Sequence, residues 1–172
     1  MSEARTHFQT ISLIGMPGVG KSTVGVILAK LIGLEFADTD LAIQSREGLT
    51  LQQIINGQGH MRLREIEEEV LLEVPLERRV VATGGSVVYS DAIMQRLLAA
   101  GPVVYLSADV QTLQSRVAAN PERGIASDKG QTFEDIYNER TPLYEHYATH
   151  RVDAVSGSAD AVALLIVQAL HA

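Results

Sequence analysis

Nine residues, Gly15-Met16-Pro17-Gly18-Val19-Gly20-Lys21-Ser22-Thr23, constrain this chain more than any other stretch. They fit the pattern G-x-x-x-x-G-K-[ST], with Gly15, Gly20, Lys21 and Ser22 at the fixed places. Glycines there let the backbone curl with positive φ and bring its N–H groups against phosphate oxygens. Lys21 supplies a mobile point charge for the β- and γ-phosphates, and the Ser22 hydroxyl can ligate Mg²⁺. The flanks fit as well. Residues 10–14 form a short apolar run suited to a buried parallel strand, and Val24, Ile27, Leu28, Leu31 and Ile32 recur at helical spacing before Gly33. The loop therefore joins a strand to a helix N-terminus, where free N–H groups and the helix dipole favour an anion. Gly18, Val19, Gly20, Lys21, Ser22 and Thr23 are expected to hold nucleotide phosphates, with Ser22 on the metal.

Composition narrows the class. At 172 residues and 18.6 kDa the chain is expected to form one domain around one core. A net charge of −7 and a pI near 5.2 argue against a nucleic-acid partner, which wants a basic face. Cysteine is absent, which excludes disulfides and thiolate zinc sites. Residues 1–9 are polar and lack the apolar core of a signal peptide, and the longest apolar run, 161–167, is too short to span a membrane. A cytoplasmic protein without a membrane partner is expected.

Along the chain, strands are expected at 34–37, 80–82, 103–106 and 151–154. Helices are expected at 41–46 and at 49–55, the second broken by Asn56-Gly57-Gln58-Gly59. A longer helix is marked by Leu63, Ile66, Val70, Leu71 and Val74 and stopped by Pro75. Ser90 or Asp91 caps the next, through Ala99, and Ser107 or Asp109 caps another to about Ala119. Residues 120–131 carry Pro121, Gly124 and Gly130 with no apolar period and read as a mobile loop. Thr132 and Ser158 open the last two helices. This alternation predicts a three-layer α/β/α domain with a central five-stranded parallel sheet.

Other groups of residues carry both a functional and a plain structural reading. Asp38 and Asp40, two apart, point the same way if the segment is extended. One could hold Mg²⁺ and the other take a substrate hydroxyl proton, or both could simply cap the helix at Leu41. The charges from Arg62 to Glu69 suit a solvated helix face with i,i+3 and i,i+4 pairs. Within them, Arg64 could instead be oriented by Glu67 toward an acidic substrate. Gly84 and Gly85 permit close backbone approach to a ligand, or a tight turn. Arg123 is of the right type to close over transferring phosphate, and Arg140 lies near a helix kink. His146 and His150 lack a neighbouring glutamate in zinc-protease spacing and read as structural or exposed.

Taken together, GMPGVGKST at 15–23, DTD at 38–40, LREIEE at 63–68, ATGGS at 82–86, Arg123 and ERTPLY at 139–144 resemble the shikimate kinase family, within the nucleoside-monophosphate-kinase-like P-loop group. The resemblance runs from about Ile11 to Asp153. It implies a single kinase domain over 1–172, with a lid at about 120–131 and a substrate-binding helical segment at about 41–74. It also implies ATP, Mg²⁺ and a small acidic substrate, in a monomer working in aromatic amino-acid biosynthesis. By the same resemblance Asp38 assists Mg²⁺, Asp40 contacts the substrate hydroxyls, Arg64 and Arg140 share the substrate carboxylate, and Gly84 and Gly85 line its site. Arg123 reaches substrate and phosphates, and Arg116 flanks the adenine.

The chain departs from that pattern in three places. Ser86 stands where a third glycine is usual, Arg123 is followed by Gly124-Ile125-Ala126 rather than Pro-Leu-Leu, and Leu63 replaces the usual Phe before the helix arginine. A kinase of another hydroxy or sugar acid such as gluconate, a nucleoside monophosphate kinase, and a non-catalytic nucleotide switch stand as alternatives to an enzyme converting shikimate to 3-phosphoshikimate.

Overall fold

A computed structural model describes residues 10–120 and 125–172. In chain order the elements are β1 (Thr10–Ile14), α1 (Lys21–Ile32), β2 (Glu35–Asp38), α2 (Thr39–Glu47), α3 (Leu51–Gln58) and α4 (His60–Glu73). There follow β3 (Arg79–Ala82), α5 (Asp91–Ala100), β4 (Val103–Ser107), α6 (Val110–Ala118), α7 (Phe133–Tyr147), β5 (His150–Asp153) and α8 (Ala159–His171). The strands form one sheet in the order β2-β3-β1-β4-β5, and every pairing is parallel.

β1 and β4 are buried along their whole length, which is why both read as continuous apolar runs rather than alternating ones. Right-handed crossovers fix the layers. The step from β1 to β2 runs one way across the sheet, and the steps to β3, β4 and β5 run the other. That puts α1 on one face, packed against α8, and α4, α5 and α7 on the opposite one. The main core fills both interfaces, from Ile11, Leu13 and Leu28 to Leu97, Tyr144 and Ile166. A second, smaller core of Ile43, Leu51, Ile54, Leu63, Ile66, Val70 and Ala126 holds α2, α3 and α4 together beside the carboxyl edge of the sheet.

The expected elements are present with small differences. Gly33, in the left-handed region, closes α1 as its position suggested. Ser90 and Asp109 are the observed caps of α5 and α6, their side chains accepting from the Ile93 and Thr112 backbone N–H groups. Helix α3 runs on to Gln58 instead of breaking at Asn56, because Thr50 and Gln53 form a capping box at its start and Leu51 and Ile54 are buried along it. The interior Gly57 costs about 1 kcal/mol relative to Ala and is outweighed. The N-terminal nine residues and Arg123 lie outside the described residues. The described end of the predicted loop, 125–131, is anchored: Ala126 sits in the smaller core, and Asp128 pairs with His60 at 2.9 Å.

Candidate active site

The carboxyl ends of β1, β2 and β3 deliver three segments to one crevice, the place where open α/β sheets bind ligands. The first is the phosphate loop. Gly15, Gly18 and Gly20 have φ of 148°, 86° and 103°, a run that side-chain-bearing residues would resist. Gly20 is the N-cap of α1 and has no capping side chain, so the helix presents backbone N–H groups at its open end. Lys21 is buried, and its ammonium folds back over the loop, donating to the carbonyls of Gly15 at 2.7 Å and Met16 at 3.0 Å. Ser22 and Thr23 are exposed on the first turn. Arg116 of α6 donates to the carbonyls of Gly18 and Val19 at 3.2 and 3.3 Å, bracing the loop from the side expected to face the adenine.

The second segment carries Asp38 and Asp40, and here the structure corrects the sequence reading. The chain is extended only through Asp38, and Thr39 already begins α2. Asp38 is the N-cap, accepting from the Leu41 N–H at 3.1 Å, so the two carboxylates do not share a face by strand alternation. Asp40 projects from the first helical turn into the crevice, with Oδ1 beside Gly84.

The third segment, Thr83-Gly84-Gly85-Ser86, is pinned by the Thr83 hydroxyl donating to the Leu13 carbonyl at 2.8 Å. Both glycines are needed by the protein's own side chains. A Cβ on Gly84 would lie 2.1 Å from Glu67 Oε1, and one on Gly85 would lie 2.8 Å from Pro17 Cδ and 3.0 Å from Arg140 Nη1. Glu67 is buried, accepts from the Ser86 hydroxyl through one oxygen, and finds no hydrogen-bond partner among the described residues for the other. Burial pushes its pKa up to about 7, the Ser86 bond opposes that rise, and the nearby Asp40 charge adds to it.

The arginines complete the pocket. The pairing of Arg64 with Glu67, one of the two readings open from sequence, is not made, because Glu67 turns inward to Ser86. Arg64 instead lays its guanidinium over the Tyr89 ring, 4.0 Å from the centroid, and points Nη2 at the Ala126 carbonyl, 3.5 Å away. Arg140 on α7 is 1% exposed. It also donates to the Ala126 carbonyl, and its Nε reaches the Tyr89 hydroxyl at 3.4 Å. Beneath it, the Tyr144 hydroxyl donates to the Gly85 carbonyl, and its ring stacks on Tyr105 at 5.3 Å. The outer charges behave as a plain helix face: Arg62 pairs with Glu65 and Glu69, and Arg46 of α2 with Glu69. Pro17, Lys21, Asp40, Glu67, Gly85 and Arg140 are among the walls of a small cavity of about 70 Å³.

Three participants carry no expected role from the sequence: Glu67 as a buried carboxylate, Tyr89 and Ala126. Glu67 had a signal, since it falls within the apolar stripe of Leu63, Ile66, Val70 and Leu71, where a charge must be buried. Tyr89, in the 3₁₀ turn Val87–Tyr89, and Ala126 had none.

A phosphate loop heading a parallel sheet, with arginines and carboxylates across the same crevice, defines a P-loop kinase fold. Comparison with known proteins narrows the class. A family model described as shikimate kinase matches residues 17–171. Shikimate kinase from Mycobacterium avium is 38% identical over 93% of this chain and 92% of its own. Shikimate kinase 2 from Dickeya chrysanthemi is 36% identical over 92% and 94%. Among solved structures, shikimate kinase from Acinetobacter baumannii in complex with shikimate superposes with a TM-score of 0.89 at 32% identity, covering 98% of this chain and 96% of that one. The chain belongs to the shikimate kinase family. Among the described residues, no helix is long and apolar enough to cross a membrane.

Proposed function

We propose that this protein transfers the γ-phosphoryl group of MgATP to a hydroxyl of shikimate, releasing ADP and 3-phosphoshikimate. The observation that carries the reading is one of convergence. Arg140 lines the same cavity as Lys21 and Asp40, and Arg64 reaches the very acceptor atom that Arg140 holds. That is a site for one carboxylate-bearing molecule placed against a triphosphate.

In this reading Gly18, Val19, Gly20 and Thr23 cradle the phosphates with their N–H groups, and Arg116 flanks the nucleotide. Lys21 and Arg123 offset charge on the transferring group. Asp40 orients the acceptor hydroxyl and takes its proton as the new P–O bond forms and the bond to ADP breaks. Arg64 and Arg140 hold the acid, and Gly84 and Gly85 let its ring approach. Ser22 and Asp38 offer only hard oxygen donors, a set that suits Mg²⁺, which takes few protein ligands and keeps several waters. Bound there, the ion neutralises phosphate charge. We read residues 1–172 as one domain of a monomeric cytoplasmic enzyme with its lid at about 120–131, testable by light scattering.

Coupled ADP release with MgATP tests the activity, comparing shikimate with quinate, gluconate, CMP and no acceptor. Saturable turnover on shikimate at roughly 1–100 s⁻¹ is expected. Turnover only on another acceptor, or nucleotide binding with no turnover at all, overturns the proposal.

A further inference from the structure

Two buried or half-buried guanidinium groups cannot define one anion site unless something fixes their planes, because both side chains are long and like charges repel. In α4 the neighbour that would ordinarily do this is Glu67, one turn beyond Arg64, but its carboxylate is committed to Ser86. Two residues touch both arginines, Ala126 through its carbonyl and Tyr89 through its side chain. Arg64 lies over the ring face at 4.0 Å, and Arg140 lies 5.4 Å from the same centroid with Nε on the hydroxyl. Arg64 Nε is buried without a hydrogen-bond partner among the described residues, so the ring is what holds that end of the guanidinium. Tyr89 is itself fixed: its hydroxyl donates to Glu139 at 2.5 Å, and Glu139 accepts from Gln131 at 2.9 Å.

We propose that Tyr89 is the positioning and specificity-determining residue for the acceptor carboxylate, setting the Arg64 guanidinium by its ring face and Arg140 by its hydroxyl. The inference rests on the proposed function for the identity of the acid. An aromatic face suits this work because it attracts a guanidinium without neutralising it, so the charge stays available to substrate. A glutamate in the same position would hold the arginine as firmly and compete with the substrate for it. Through Glu139 and Gln131, the same ring also ties the arginine pair to the start of α7.

Kinetics of Tyr89→Leu and Tyr89→Phe test this. Loss of the ring should raise the acceptor KM by about 3- to 30-fold, with kcat and the KM for ATP within about two-fold. Tyr89→Phe keeps the face that sets Arg64 and loses the hydroxyl that meets Arg140, so its acceptor KM should fall between those of the parent and Tyr89→Leu. With an acceptor whose carboxylate is reduced to a primary alcohol, parent and Tyr89→Leu should give the same KM. A Tyr89→Leu protein with unchanged acceptor KM, a loss falling equally on ATP, or an effect that persists with the alcohol overturns the inference. If the parent does not use shikimate, the proposed function fails on its own. Tyr89 is then judged by arginine side-chain NMR of the protein alone. Tyr89→Leu should move the Nε–H resonance of Arg64 out of the ring current, and Tyr89→Phe should leave it. An Arg64 signal indifferent to Tyr89→Leu overturns the inference.

Discussion

The Ser86 hydroxyl donates to the Glu67 carboxylate, and the other carboxylate oxygen faces Gly84 and, beyond it, Asp40. A buried acid so placed makes stability depend on pH in the reverse of the usual carboxylate sense. Its pKa is about 7 in the fold against 4.5 ordinarily, so between these values the native state keeps a proton that the unfolded chain has lost. Stability therefore falls as pH rises through 4.5 to 7, by about 3 kcal/mol in total if nothing relaxes. Glu67→Gln abolishes this titration. In urea unfolding, the variant should gain about 1–3 kcal/mol relative to the parent between pH 5 and pH 8. An equal difference between the two proteins at both pH values would contradict the assignment.

Arg140→Lys keeps the charge but loses the fork that spans the Ala126 carbonyl and the Tyr89 hydroxyl. A charged hydrogen bond contributes about 1.5–3 kcal/mol, so the acceptor KM should rise about 10- to 100-fold while the KM for ATP stays within about two-fold. Steady-state kinetics with each substrate varied in turn give the answer. A collapse of ATP affinity instead would move Arg140 to the nucleotide side.

Two glycines make a matched pair. Gly84→Ala puts a methyl 2.1 Å from Glu67 Oε1 and 3.2 Å from Asp40 Oδ1, so the carboxylates or the turn must shift. Turnover should drop by about 10²-fold, as expected when reacting groups are displaced by an ångström. Gly57→Ala meets nothing within 4 Å on α3 and should stabilise by about 0.5–1 kcal/mol with unchanged kinetics. Thermal unfolding and kcat, read side by side, separate the two effects.

Arg116→Ala removes the brace on the Gly18 and Val19 carbonyls. The KM for ATP should rise about 3- to 10-fold, and the acceptor KM should hold steady. A change confined to the acceptor would place α6 in the wrong half of the site.

The parts of this protein that local chemistry dictates were legible before the fold was known. The phosphate loop and its flanking strand and helix are fixed by glycine conformations, a continuous apolar run and a helical period, all local properties. The caps at Gly33, Thr132 and Ser158 are local too. What escaped is decided between elements. Whether Glu67 answers Arg64 or Ser86 depends on how α4 docks against the turn after β3, and only the burial of that helix face settles it. Asp38 and Asp40 sit where a strand becomes a helix, and the turn's first residue decides which period applies. Tyr89 and Ala126 act through a ring face and a backbone carbonyl, groups that every tyrosine and every residue possess.

That carbonyl has a consequence of its own. Arg64 and Arg140, 62 and 14 residues away in sequence, already share the oxygen of Ala126, a residue whose methyl is packed in the smaller core. The protein thus carries an internal stand-in for an incoming anion. In the proposed function, acid uptake would be an exchange of one oxygen acceptor for another, and the affinity measured from outside would be the difference between the two. A carboxylate wins that exchange through its full charge, whereas a neutral analogue of the same shape meets an amide of comparable strength. Discrimination against uncharged polyols would then come from a rival built into the chain, without any residue placed to repel them.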